Sequence, residues 1–164
     1  MKPDLTPIKM GMRRWPGPPD GTPITQRRST VPEGGSGRWK VERFEIPKGK
    51  LHEWALIKYA IKGRPLIPGI FTHLTYLGRV IMCDTPAEMR DCEHLFSNAH
   101  GNVLVNGLGL GWCVEELLRE REEEGGPLAE HVTVIEIDKD VINLVGSYMK
   151  TQFASRLEII TPTL

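Results

Sequence analysis

A chain of 164 residues, 40% hydrophobic and 26% charged, is long enough for one cored domain and ordinary in composition for a globular protein. Its 21 basic and 21 acidic side chains cancel to zero formal charge, which argues against a protein that grips nucleic acid through its overall field. The three cysteines are odd in number and widely spaced, as reduced thiols are, and no apolar run reaches the roughly 20 residues needed to cross a bilayer. With no signal-peptide core at the start either, a cytoplasmic protein without a membrane partner is expected.

Residues 1–38 carry prolines at 3, 7, 16, 18, 19, 23 and 32 and glycines at 11, 17, 21, 34, 35 and 37, a density of breakers that helices and ladders do not survive. Arg13, Arg14, Arg27 and Arg28 make this stretch basic, and it reads as a flexible, solvated arm. A second region, 39–100, begins with β-formers from Trp39 to Ile46, which predict a short strand. Trp54, Ile57, Lys58 and Ile61 share one face of a predicted helix over 51–62, stopped by Gly63 and Pro65. Strands over 70–76 and 79–82 flank Leu77-Gly78, a hairpin signal in which Gly78 supplies the positive φ. Thr85-Pro86-Ala87-Glu88 has the form of a capping box with proline at the first helical position, and Met89, Cys92 and Phe96 follow as an apolar stripe.

The region 101–164 opens on the most informative stretch. The apolar run Val103-Leu104-Val105 leads through Asn106 into Gly107-Leu108-Gly109-Leu110-Gly111, and an amphipathic helix is predicted from Trp112 to Glu124. Strand, glycine turn and helix in that order let backbone approach a ligand closely. A second strand over 132–137 ends in Glu136-Ile137-Asp138, where βαβ nucleotide sites place the carboxylate that reads a ribose. Asp138 can cap a further helix whose buried face is Val141, Ile142, Val145, Tyr148 and Met149, and a third strand is predicted over 157–160. The order β-α-β-α-β implies an α/β fold with a Rossmann-like parallel sheet, incomplete in extent, preceded by a small hairpin and helix region. Its strands are nearly uninterrupted Val, Leu and Ile, as in parallel strands covered on both faces.

The dinucleotide pattern G-x-G-x-x-G would need a glycine where Trp112 stands, so a NAD-binding domain is disfavoured. The spacing Gly107-x-Gly109-x-Gly111 instead resembles the first motif of class I S-adenosylmethionine-dependent methyltransferases. "VLVNGLGLG" followed by "VTVIEIDKDVINLV", with the hairpin "LTYLGRVIMCDTPAEM" upstream, is similar to the spermidine-synthase-like branch of that superfamily. The similarity covers about residues 70 to 160 and is specific at the glycine run and at "VIEID". It implies S-adenosyl-L-methionine as cofactor, with Asn106, Gly107, Leu108, Gly109 and Gly111 in the turn beneath its methionine part. Glu136 would take the ribose hydroxyls, Ile137 would pack on the adenine and Asp138 would border it. Asp84, beside Thr85, lies where the family's segment before the sheet approaches cofactor or acceptor.

The chain departs from that family by stopping soon after the third strand, before the strand end that orients the acceptor. One sheet edge, central in the family, is left open; a longer protein, an oligomer or other partner, or a reduced module are the three explanations. The methyl acceptor and any catalytic base are therefore not readable. His52, His73, His94, His100 and His131 lack metal-ligand spacing, so no metal is expected. Two functional expectations stand beside one another: a transferase acting on methyl, and a non-catalytic cofactor-binding or interaction module that pairs through its open edge.

Overall fold

The computed structural model describes residues 27–48, 67–120 and 126–162. The helix predicted over 51–62 lies outside them, as do residues 1–26 of the expected arm and residues 121–125 of the helix predicted to reach Glu124. Among the described residues no helix is long and apolar enough to cross a membrane.

Four antiparallel strands come first, in the order β1 (Gly34–Ser36), β2 (Trp39–Ile46), β3 (Gly69–Tyr76) and β4 (Arg79–Cys83). In the β2–β3 ladder Val41 faces Leu74, and both are buried in the core. The β3–β4 hairpin turns on Leu77 (φ 51°) and Gly78 (φ 77°), so both central residues are left-handed, as a two-residue turn matching strand twist requires. A non-glycine residue in that region is strained, and Leu77 is held there by its N–H, which donates to the Arg38 carbonyl at 3.0 Å.

Order reaches back at least to Arg27, further than the flexible arm expected over 1–38. Arg27, Ser29 and Val31 are buried and residues 34–36 form β1. The breakers prevent a regular element between 27 and 33, but not docking, because Val31 enters the core and the Ser29 N–H finds a buried carboxylate.

Two short helices follow, α1 (Pro86–Asp91) and α2 (Glu93–Asn98). The predicted capping box does not close. The Thr85 side chain makes no cap bond; its hydroxyl lies 3.3 Å from Cys83 Sγ, and the Glu88 carboxylate accepts the Cys83 N–H instead. Proline at the first helical position and Glu88 in the first turn still favour the helix start.

The second sheet is parallel: β5 (Asn102–Asn106), β6 (His131–Ile135) and β7 (Leu157–Ile160), in that spatial order. Between β5 and β6 lies α3 (Trp112–Leu118). Between β6 and β7, α4 (Lys139–Val141), a π-helical segment (Ile142–Gly146) and α5 (Ser147–Phe153) run end to end, turning Val141, Val145 and Met149 inward. The expected α/β class and strand order are thus present, with the register Val103–Val132–Leu157 and Val105–Val134–Ile159.

Two expectations about this half change. Among the described residues the sheet is covered on one face only: Val132, Val134 and Leu157 are buried, whereas Leu104 on the other face is 65% exposed. The helix α3 stops at Leu118, where Arg119 turns extended (ψ 134°). Its last carbonyls meet partners from elsewhere, since Leu117 O accepts the Ala129 N–H (2.9 Å) and Leu118 O accepts the Arg156 guanidinium (2.9 Å). Those bonds satisfy the helix end that further turns would otherwise have satisfied. One core, running from Val31 and Leu74 through Phe96 and Trp112 to Val134 and Met149, joins the two sheets.

Candidate functional site

The site forms where the C-terminal ends of the parallel strands meet the hairpin. The Gly107 N–H donates to Ile135 O at 2.8 Å, holding the turn against β6 as it leaves the ladder. Gly107, Gly109 and Gly111 all have positive φ (86°, 55° and 70°), conformations in which a Cβ is penalised. Glu136, buried at the end of β6, joins the turn to its own strand end: Oε2 accepts the Leu108 N–H at 2.9 Å and Oε1 accepts the Asp138 N–H at 2.9 Å. A carboxylate offers about four acceptor positions, so each oxygen keeps one for a further donor.

The three glycines have different surroundings. A Cβ at 107 would meet nothing within 4 Å. At 109 it would come within 2.5 Å of the Met82 sulfur, and at 111 within 2.6 Å of Met149 Cε and 2.9 Å of its Cγ. The Met82 thioether accepts the Leu110 N–H at 3.3 Å, so this side chain rests on the turn. Gly109 and Gly111 therefore admit methionine side chains, and Gly107 alone faces open space.

A cavity of about 330 Å³ lies between the turn, β4 and the helix pair α1–α2, with mostly apolar walls. Asn106, Gly107, Leu108, Gly109 and Asp84 border it together with Met82, Met89 and Trp112. Gly111, Glu136, Ile137 and Asp138 do not: Gly111 packs on Met149 of α5, the other three follow the end of β6, and Leu108, itself in the wall, connects the two sides through its N–H on Glu136. Trp112, whose bulk disfavours a dinucleotide turn, is buried edge-on against Phe96 at 5.3 Å between ring centres.

The carboxylates near the turn differ in what they hold. Both oxygens of buried Asp84 accept backbone N–H groups, from Thr72 (2.6 Å) and Ser29 (2.8 Å), so it ties β3 and the amino-terminal segment to the end of β4. Asp138 caps the next helix through the Asp140 N–H (2.9 Å) and accepts the Trp39 indole N–H at 2.7 Å. Among the described residues Glu136 accepts hydrogen bonds from the two N–H groups named above. Ile137 stands beside them, 72% exposed.

Sequence patterning did not point to Met82, nor to a charged cluster beneath α3. Glu115 and Glu116 are buried, Glu116 lying 3.4 Å from Arg27 and Glu115 3.1 Å from Arg119, with the Thr30 hydroxyl donating to Glu115 at 2.9 Å. The crowding of Trp112, Val114, Leu117 and Leu118 around these acids was the one local sign, since it leaves a seven-residue helix almost no polar face. It also missed the approach of Cys92 to Cys113, whose sulfurs are 3.1 Å apart. Among the described residues no group of three or more His, Cys, Asp or Glu is placed to hold a metal ion. Comparison with protein-family models, with curated proteins and with solved structures finds no match.

Proposed function

We propose that residues 101–162 form a Rossmann-like binding unit for S-adenosyl-L-methionine and that the protein is a transferase of the spermidine-synthase-like kind, moving a methyl group. The observation that carries this reading is Glu136: a buried carboxylate at the C-terminal end of β6, anchored on the glycine turn through Leu108 and keeping one acceptor position free on each oxygen. Gly107 and the cavity beside it support the reading, with Glu136 outside the cavity and joined to the turn through Leu108. Gly107 leaves room for a ligand against the backbone, and the cavity of about 330 Å³ begins there. Glu136 would hold the ribose hydroxyls and Ile137 would cover one adenine face. Met82 rests on Gly109, and its flexible thioether chain would swing aside for a ligand to reach that glycine.

When bound, the cofactor supplies a methyl activated by a sulfonium. The chain's own contribution is to orient it and to keep water away with the apolar wall of Met82, Met89 and Trp112. Asp138 and Asp84 act here through positioning, since each already holds its elements together. Calorimetric titration with S-adenosylhomocysteine tests the reading: binding is expected, and Glu136→Ala should weaken it about tenfold or more, a loss of at least about 1.4 kcal/mol. Tight NAD binding with no response to S-adenosylhomocysteine would overturn it.

A second reading, an interaction module pairing through its sheet, is favoured by one observation. Among the described strands β5 has a neighbour on one side only, and Leu104 beside that open edge is 65% exposed. Self-association that Leu104→Ser abolishes, without cofactor binding, would favour this reading.

A further inference from the structure

The cavity wall contains three thiols, and two of them are paired. Cys92 stands at the junction of α1 and α2, and Cys113 lies in the first turn of α3. Their sulfurs are 3.1 Å apart, so a covalent bond of about 2.05 Å requires them to close by only about 1 Å. Both are partly accessible and both border the cavity, so a small molecule can reach them. Cys83 differs. Its sulfur lies against the Thr85 hydroxyl at 3.3 Å, and burial pushes its thiol above the ordinary range.

The two paired sulfurs are also unequal. The hydrogen bond between the two sulfurs holds the Cys92 thiol below its usual value, against burial and the nearby charges of Asp91 and Glu88. The same bond, with burial, pushes Cys113 up. Cys92 therefore has the character of an attacking sulfur and Cys113 that of a resolving one.

We propose that Cys92 and Cys113 form a redox-active dithiol, converted to a disulfide by small disulfides such as glutathione disulfide and returned to thiols by reduction. The Cys92 thiolate attacks one sulfur of glutathione disulfide, breaking its S–S bond and expelling one glutathione thiolate. Cys113 then loses its proton to solvent, and its sulfur attacks Cys92 Sγ, expelling the second glutathione. Two electrons pass from the protein dithiol to the small disulfide, which leaves as two thiols. The new bond fastens the α1–α2 junction to α3 across the cavity wall, joining the hairpin side of the cavity to the glycine-turn side. The proposal is independent of which ligand the cavity takes.

Peptide mapping of the full chain after incubation with glutathione disulfide and alkylation tests it. Cys92 and Cys113 fall in one tryptic peptide, 91–119, and Cys83 in another, 80–90. The expected product is peptide 91–119 lighter by two hydrogens and unalkylated at both cysteines, with Cys83 alkylated and the change reversed by a thiol reductant. Cys83→Ser should oxidise in the same way, and Cys113→Ser should accumulate a glutathione adduct on Cys92. If Cys113→Ser does not fold, the wild-type and Cys83→Ser maps decide the matter. A stable glutathione adduct on Cys92 in the wild type, a bond that includes Cys83, or full alkylation of peptide 91–119 would each overturn the proposal.

Discussion

On one face of the parallel sheet Val103, Val105, Val132, Val134 and Leu157 pack towards α3 and α5; on the other, Leu104, Thr133, Ile135 and Ile160 stand without that cover, Leu104 65% and Ile160 42% exposed. In composition the two faces differ, the covered one being wholly aliphatic and the other adding Asn102, Asn106, His131, Thr133 and Glu158 to Leu104, Ile135 and Ile160. The segments that fold back, α3 and α5, cover the aliphatic face and leave Leu104, although apolar, exposed. The covered face has received a helix so enclosed that two of its glutamates are buried with arginine partners. Apolar alternation thus shows that a strand can be buried on a given side, and the partners decide whether it is.

The largest test of the difference is Glu116→Ala. It leaves Arg27, itself buried, without the carboxylate 3.4 Å away, and should destabilise the protein by about 3–5 kcal/mol in urea denaturation. A loss below about 1 kcal/mol would mean that the pair behaves as a surface ion pair and that this face is less sealed than described. Gly111→Ala comes next, at about 2–3 kcal/mol, because the left-handed φ is joined by a clash with the inner part of the Met149 side chain on α5. Gly107→Ala, with the same strain and open space, should cost only about 1 kcal/mol, so near-equal losses would cancel the distinction drawn between the glycines.

The last test sets the two faces side by side and contains the smallest effect. Val134→Ala should cost about 2 kcal/mol through lost burial and the cavity left behind, whereas Leu104→Ser should stay within about 0.5 kcal/mol. Equal melting shifts for the two variants would show that Leu104 is covered in solution.

Much of this architecture was legible because it is local. Gly78 marked the hairpin, the Val-rich runs marked β5 and β6, and Asp138 marked the start of the following helix, where its side chain does accept the Asp140 N–H. The glycine turn and Glu136 were legible for the same reason, each lying at the end of a strand whose pattern is plain. What pattern could not supply were partners remote in sequence. Glu115 looks like any surface acid until Thr30, 85 residues away, is brought beside it. Cys92 and Cys113 are 21 residues apart and meet only because α3 packs beside the α1–α2 junction. The capping box failed for a different, local reason, as the Cys83 N–H, five residues away, offered Glu88 another donor.

The bonds that latch the amino-terminal strands have a consequence for how the chain is made. The Trp39 indole bonds Asp138, the Ser36 hydroxyl bonds Asp140 and the Tyr148 hydroxyl bonds Thr30, across 99, 104 and 118 residues respectively. At ribosomal speeds of about 5–20 residues per second, a wait of about 5–20 s separates emergence of Trp39 from that of its acceptor. The antiparallel sheet is thus secured by residues made well after it, and loop closure over those distances slows native assembly.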